Sequence, residues 1–155
     1  MYLNRKNQLV YAAFPHLAAL PGVVHGIFSR IGGNDARQSP ELNVGKNNGE
    51  SARQAVASSM DGMELVFLNQ IHGKQVAMIR NDQDLKQARQ TPLTADALIT
   101  GVPGAGLTIQ AADCQAVLLY DPVRRAAANI HSGWRGSIAR SEEHTSELQS
   151  PSAIS

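Results

Sequence analysis

The sequence of 155 residues contains one cysteine, Cys114, and only 5% of its residues are aromatic. A lone cysteine cannot form an internal disulfide. It fits a reducing cytoplasm, in which the thiol is buried, catalytic or a metal ligand. No apolar run approaches the roughly 20 residues that span a bilayer, and no apolar segment follows the charged N-terminus as in a signal peptide. We therefore expect a cytoplasmic protein with no membrane partner.

The sequence also lacks an excess of charge of either sign, because 14 basic and 13 acidic residues leave a net charge of +1. The basic residues are scattered and form no stripe, so the sequence predicts no nucleic-acid partner. Hydrophobic residues make up 43% and charged residues 17% of the chain. This composition is typical of a globular domain, and the length allows a real core.

Short apolar runs alternate with turns rich in Gly, Pro and Asn, a pattern typical of strands separated by loops. Helices are predicted at 14–20 and 50–60, and strands at 9–11, 23–29, 65–68, 76–79, 97–100, 106–110, 116–120 and 126–130. The polar stretch 81–90 is predicted to be an exposed connection. The result is an α/β fold with more strand than helix, and its continuous apolar strands predict a sheet covered on both faces.

The C-terminal segment differs from the rest of the sequence. Residues 133–139 are typical of a glycine-rich turn that opens a helix, but residues 140–150 match the conceptual translation of a common sequencing adapter. We therefore expect 1–139 to be part of a longer domain and 140–155 to be a non-native tail. Residues 141–147 include three carboxylates and no apolar side chain, so the tail should not bury enough surface to become ordered.

Three segments place a potential metal ligand at the end of a predicted strand: His72, Cys114 and His131. Imidazole and thiolate together suit Zn²⁺ or copper, and three protein ligands leave a fourth position open. Their spacing does not show that they converge. Taken singly, a cysteine in this position is more often a small buried residue, and each histidine is more often a hydrogen-bonded structural residue than a ligand. A metal-free hydrolase with Cys114 as nucleophile and His131 as base is a further alternative.

Four groups of residues carry a resemblance to a known family, and they occur in the family's order. They are 25–30 with 32–33, then 42–45, then 69–76, and last the set 95–97, 112–114 and 131–136. On these motifs the chain resembles the YfiH-like family, also called the laccase-domain or multicopper polyphenol oxidoreductase family, over residues 23–139. The resemblance implies that the three metal ligands fall on His72, Cys114 and His131. It also implies a fold of layered mixed β-sheets flanked by helices, incomplete here because the family's C-terminal third is missing.

The resemblance implies a cytoplasmic enzyme that acts on purine nucleosides. Activities reported in the family are phosphorolysis of adenosine, inosine, guanosine and methylthioadenosine, and deamination of adenosine. We therefore expect a metal-dependent purine nucleoside phosphorylase with adenosine deaminase activity. Its cofactor would be Zn²⁺ or else copper, and its partners a purine nucleoside and phosphate. A copper-dependent polyphenol oxidase, a metal-free Cys–His hydrolase and a non-catalytic editing factor for peptidoglycan precursors are the alternatives.

Residues next to the ligands are candidates for catalysis. Asp113 and Cys114 are the predicted catalytic residues, with Asp113 as the base that shuttles protons during deamination. The alternative for Asp113 is a turn residue that caps the end of a strand.

Other side chains in the same motifs are candidates for substrate binding. Arg30 and Arg135 lie beside glycine-rich turns and are predicted to hold phosphate, although surface arginines are a common alternative. Asn43 and Gln70 are predicted either to hydrogen-bond substrate or to bridge loops. Trp134 would either stack on a base or anchor the core.

Overall fold

The computed structural model of the protein describes residues 1–7, 9–29, 42, 44, 49–134 and 137. The chain divides into two compact units, Met1–Met63 and Glu64–Ser155. The tail predicted at 140–155 lies outside the described residues. Within the described ranges, no helix is long and apolar enough to cross a membrane.

The first unit contains an antiparallel sheet in the order β1 (Tyr2–Lys6), β2 (Leu9–Ala13) and β3 (Ile27–Phe28), together with α1 (Pro15–Ala18) and α2 (Glu50–Ser59). Between β1 and β2, Asn7 adopts a left-handed φ of 49°, and its side chain donates to the Ser58 carbonyl of α2 at 3.1 Å. Both predicted helices are confirmed. Of the predicted strand 23–29, only the two residues of β3 pair.

The second unit contains seven strands: β4 (Glu64–Asn69), β5 (Val76–Ile79), β6 (Leu93–Thr94), β7 (Ala97–Thr100), β8 (Ala105–Thr108), β9 (Gln115–Asp121) and β10 (Ala126–Ser132). One sheet has the order β5-β7-β10-β9, in which β5 is parallel to β7 and β10 is antiparallel to both of its neighbours. The other has the order β6-β4-β8, with β4 parallel to both neighbours. One mixed sheet and one parallel sheet, in a chain that also contains helices, confirm the predicted α/β class.

Residues 81–90 are largely helical, so the prediction of an exposed connection there is wrong. The helix α3 (Asp82–Gln90) begins after Asn81, whose side chain accepts a hydrogen bond from the Asp84 N–H at 2.9 Å. Such an N-cap satisfies an amide that the first helical turn leaves unpaired. Leu85 and Ala88 lie three residues apart on one face and are buried. Overall polarity concealed this narrow apolar face.

The core of the second unit joins α3 to strands of both sheets. Its buried members are Val66, Leu68, Ile79, Leu85, Ala88, Ala95 and Leu98. Every residue of β7 is buried, as are all but one of β10, which confirms two strands covered on both faces. The neighbouring β9 is half-exposed to exposed, so the prediction fails there. The buried strands β7 and β10 adjoin the candidate site, because β10 contains His131 and Asp96 directly precedes β7.

Candidate metal centre

A buried aspartate, Asp96, organises the loop that carries the first candidate ligand. It directly precedes β7 and is 0% exposed. Its carboxylate accepts hydrogen bonds from three successive backbone N–H groups, those of Ile71 (3.2 Å), His72 (2.8 Å) and Gly73 (2.7 Å). His72 itself has a left-handed φ of 57°, a region that L-residues seldom occupy. The carboxylate therefore holds His72 in a backbone conformation that the loop alone would not favour.

The same aspartate fixes the second candidate ligand, His131, on β10. Its ring is 2% exposed, and its Nδ1 lies 3.0 Å from Asp96 Oδ1. The His131 N–H also donates to the Asp96 carbonyl at 2.7 Å. A carboxylate on Nδ1 favours the tautomer in which Nδ1 carries the proton, so Nε2 keeps its lone pair for a metal.

The third candidate ligand, Cys114, is half-buried directly before β9. Register between β9 and β10 pairs Gln115 with Ser132 and Ala116 with His131, which brings the thiol to the same end of the strand pair. Gly133 follows immediately, and a Cβ there would lie 3.3 Å from Cys114 Sγ and 3.4 Å from His72 Cδ2. The absence of a side chain at Gly133 thus leaves room for the cysteine and the histidine to approach each other.

One ligand atom from each of His72, Cys114 and His131 lies within 4.8 Å of the other two. The two imidazoles meet edge to face, with ring centroids 4.8 Å apart. Ligand atoms on one tetrahedral Zn²⁺ lie about 3.5 Å apart at the usual bond lengths, so the triad would need to close by no more than about 1.3 Å. The donor set and its spacing therefore fit Zn²⁺ or copper, as the sequence predicts.

Exposure and charge at the cluster also fit a cation. His72 is exposed, Cys114 is half-buried and His131 is buried, so the triad faces solvent on the His72 side. Burial raises the pKa of the Cys114 thiol, and the negative charge of Asp113 raises it further. Burial would also raise the pKa of Asp96, but hydrogen bonds from Gly73, His131, His72 and Ile71 outweigh it and hold that pKa below its ordinary value. A thiolate beside two carboxylates needs a positive partner, which a bound metal ion supplies.

Asp113 and Gln70 are each next to or close in sequence to a ligand of the triad, and they differ in their hydrogen-bond partners. Asp113 is exposed, and its Oδ1 is 3.7 Å from Cys114 Sγ. The Gln70 side chain donates to the Gln110 carbonyl and accepts from the Gln110 N–H, both at 2.8 Å. Gln70 thus bridges two loops, as one of its two interpretations predicted. Its contact with substrate and the catalytic role of Asp113 stay predictions.

The remaining predicted site residues are less well placed. Arg30, Asn43 and Arg135 lie outside the described residues, so the structure does not place them. Trp134 is 71% exposed. The core-anchor interpretation of Trp134 is therefore wrong.

Asp96 is the residue that sequence reasoning missed. It stands in one of the motifs that carry the family resemblance, but we assigned it no role. One signal was available: a charged residue between two alanines, directly before the apolar run Ala97–Ile99, is expected to be buried with partners. Its partners lie 23 to 35 residues away in sequence, and no local pattern identifies them.

Comparison with known proteins identifies the family. Residues 24–152 match the family model described as multi-copper polyphenol oxidoreductase laccase, and the chain belongs to this family. It is 34% identical over 126 residues to a purine nucleoside phosphorylase of Streptomyces coelicolor, covering 76% of this chain and 50% of that protein. It is 35% identical over 138 residues to one of Bacteroides thetaiotaomicron, covering 81% of this chain and 51% of that protein.

A solved structure shows the same fold. The Neisseria meningitidis protein NMB0706 superposes with a TM-score of 0.67 at 26% identity, covering 93% of this chain and 58% of that one. The chain thus spans about half the length of the curated relatives it matches. The family membership and the layered α/β fold predicted from the motifs are both confirmed.

Proposed function

We propose that the protein is a metal-dependent purine nucleoside phosphorylase that also deaminates adenosine. The observation that carries the proposal is the convergence of His72, Cys114 and His131 within 4.8 Å, in a chain whose curated relatives are named purine nucleoside phosphorylases. Because the chain spans about half of those relatives, the activity of the whole protein is part of the proposal. A cytoplasmic location, which the lone reduced cysteine favours, is part of it as well.

Two imidazole nitrogens and the Cys114 sulfur would hold Zn²⁺, with copper as the alternative. When bound, such an ion supplies a Lewis acid that polarises oxygen ligands and lowers the pKa of water. Asp96 contributes by holding the His131 ring at Nδ1. The exposed side of the triad, at His72, is the side that a substrate can approach.

Deamination of adenosine exchanges the C6 amino group for oxygen from water and releases ammonia. A general base must take a proton from the attacking water, and the leaving amine must receive one. Asp113 is exposed and adjacent to Cys114, so its carboxylate can carry that proton between the two.

Phosphorolysis transfers the ribose C1′ from the purine to phosphate, and it yields the free base and ribose 1-phosphate. Phosphate must be held against C1′ by fixed cationic donors. We assign this role to Arg30 and Arg135, and contacts with the nucleoside to Asn43 and Gln70. The exposed Trp134 supports stacking on the base.

The test is a product assay on the full-length protein loaded with Zn²⁺ or with copper. Adenosine with phosphate should give adenine and ribose 1-phosphate, and adenosine without phosphate should give inosine. Cys114→Ala should abolish both reactions, and Asp113→Asn should slow deamination more than phosphorolysis. A matched control is Asp82→Asn, in the first turn of α3, which should leave both rates unchanged. Full activity of a metal-depleted Cys114→Ala variant would contradict the proposal.

A metal-free thiol hydrolase has one observation in its favour, because Cys114, His131 and Asp96 resemble a nucleophile, a base and an orienting carboxylate. The raised pKa of the Cys114 thiol disfavours it, since without a cation the reactive thiolate is scarce at neutral pH. Chelation separates the two candidates. Activity that survives chelation but not Cys114→Ala would support the thiol enzyme.

We also propose that the native sequence of this domain runs through residue 139 and that 140–155 is a non-native tail. The genomic reading frame tests this boundary. A frame that diverges after Ala139 and continues for about the family's remaining length supports the proposal. A genome that encodes residues 140–155 as they stand contradicts it.

A further inference from the structure

We infer that Asp96 is the positioning residue of the metal centre: its carboxylate fixes the orientation of both His72 and His131 before any metal binds. The inference deepens the proposed function and rests on the same site. It concerns a residue that lies behind the ligands, buried from solvent, and not one that touches substrate.

The hydrogen bonds of Asp96 divide between its two oxygens. Oδ1 accepts from the His72 N–H at 2.8 Å and faces His131 Nδ1 at 3.0 Å, while Oδ2 accepts from the Gly73 N–H at 2.7 Å. The Ile71 N–H lies 3.2 Å from Oδ1 and 3.4 Å from Oδ2. One side chain thus joins two ligands that are 59 positions apart in the sequence.

The main chain at the same residue supports both connections. The Asp96 N–H donates to the Gln75 carbonyl at 2.9 Å, which ties β7 to the loop of His72. The Asp96 carbonyl accepts from the His131 N–H at 2.7 Å, which ties β7 to β10. The segments that carry His72 and His131 are therefore both hydrogen-bonded to Asp96, directly before β7.

These contacts require a carboxylate and exclude an amide of the same shape. Each oxygen faces at least one N–H group, so an asparagine would turn one acceptor into a donor whichever way its amide is oriented. With the NH₂ at the Oδ2 position, it opposes the Gly73 N–H. With the NH₂ at the Oδ1 position, it opposes the His72 N–H and makes His131 Nδ1 an acceptor. The proton of His131 would then move to Nε2, where it blocks the lone pair that a metal needs.

The competing explanation is that Asp96 only stabilises a turn, and the chain offers a carboxylate that does so. Asp121 Oδ1 accepts from the N–H groups of Val123 (2.9 Å) and Arg124 (3.0 Å) at the end of β9 opposite to Cys114. At about 3.3 Å per residue, seven positions of extended chain separate Asp121 from Cys114 by about 23 Å. Asp121→Asn is therefore the matched control for the loss of a turn carboxylate.

The first experiment needs no metal. Long-range ¹H–¹⁵N spectra of the metal-free chain at about pH 8.5, where ordinary imidazoles are neutral, report which ring nitrogen of each histidine carries the proton. We expect a single Nδ1–H tautomer for His131 in the wild type and in Asp121→Asn. In Asp96→Asn we expect Nε2–H in the molecules whose amide places its NH₂ at the Oδ1 position. A wild-type His131 with mixed tautomers or with Nε2–H would overturn the inference, even if Asp96→Asn did not fold.

The second experiment measures Co²⁺ and Zn²⁺ affinity by competition with a chelator. It uses the same three proteins, the wild type, Asp96→Asn and Asp121→Asn. Asp96→Asn should weaken affinity about 10–100-fold, as removal of a partner of a metal-bound histidine does. It should keep the thiolate-to-Co²⁺ charge-transfer band of Cys114, and Asp121→Asn should leave affinity unchanged. Equal affinity in wild type and Asp96→Asn would refute the positioning role and leave the metal site standing. A wild type that binds neither ion would refute the metal site, while the tautomer measurement would still test Asp96.

Discussion

At each end of the β9–β10 pair, a carboxylate accepts hydrogen bonds from several backbone N–H groups. The two carboxylates differ in how far away in the sequence their partners lie. At the turn end, Asp121 is bound by residues two and three positions away. At the ligand end, Asp96 is bound by residues 23 to 35 positions away, and it joins the loop after β4 to β10. One contact closes a hairpin locally, and the other exists only when the second unit is assembled.

This difference separates local order from functional order. The pKa of Asp121 is lowered chiefly by hydrogen bonds from Arg124, whereas that of Asp96 is lowered only because hydrogen bonds outweigh its burial. If the Asp121 carboxylate is removed, its two backbone N–H partners lie in an exposed turn and can hydrogen-bond to water instead. If the buried Asp96 carboxylate is removed, three backbone N–H groups are left without an acceptor.

The largest expected effect is loss of metal from Cys114→Ala. Loss of a residue that hydrogen-bonds a ligand lowers metal affinity about 10–100-fold, and removal of one of the three protein ligands should lower it further. Because the side chain is small and half-buried, the fold should persist. Titration with Co²⁺ should show weak binding and no thiolate charge-transfer band. Wild-type affinity for Co²⁺ in Cys114→Ala would show that other groups bind the metal.

A second prediction breaks each end of the strand pair separately. Asp96→Ala leaves three backbone N–H groups without their acceptor and should lower the free energy of unfolding by about 3 kcal/mol, at about 1 kcal/mol for each. Asp121→Ala should give a much smaller decrease, since its partners can reach water. Urea unfolding of the two variants measures both changes. Equal decreases would contradict the contrast between the two ends.

A third prediction tests the space that Gly133 leaves beside Cys114 and His72. Gly133→Ala places a Cβ 3.3 Å from Cys114 Sγ and 3.4 Å from His72 Cδ2. The Cys114 sulfur must therefore shift by a few tenths of an ångström, while His72 is at the edge of ordinary contact. We expect metal affinity to fall by about tenfold, the lower end of the range for residues that hold ligands in place. The matched control is Gly101→Ala, where a Cβ meets nothing within 4 Å. Wild-type affinity in Gly133→Ala would show that the triad tolerates displacement.

The smallest effect is expected from Gln70→Ala, which removes the two hydrogen bonds to the Gln110 backbone. Each is exposed, so the loss should be about 1 kcal/mol in total. Metal affinity should not change, since His72 is held by Asp96. If Gln70 also contacts substrate, the Michaelis constant for adenosine should rise at unchanged metal content, which is measurable in the product assay.

Local patterns were sufficient for much of the fold. The boundaries of β5 and β7 match the predicted strands, because each is a short apolar run between polar or glycine-containing turns. α3 was missed because only Leu85 and Ala88 reveal its buried face. β1, with the sequence YLNRK, was missed because it is mostly polar and does not alternate, although it forms a local hairpin with β2.

The candidate site was predictable only in part. Spacing did not show that His72, Cys114 and His131 converge; the family motifs implied it, and the structure places the three side chains together. The neighbours of Asp96 indicate its burial but not its role, because that role follows from the register that pairs β10 with β7 and from the loop that returns to the same point. Arrangement in space, and not residue type, makes that carboxylate important.

The left-handed backbone of His72 limits how small a fragment of the chain can present this ligand. That conformation costs a non-glycine residue about 1–2 kcal/mol, so an isolated segment containing β4 and the following loop would rarely sample it. The acceptor that offsets this cost is Asp96, which follows α3 in the sequence and is absent from such a segment. A peptide covering residues 64–80 should therefore have no measurable preference for the ligand geometry.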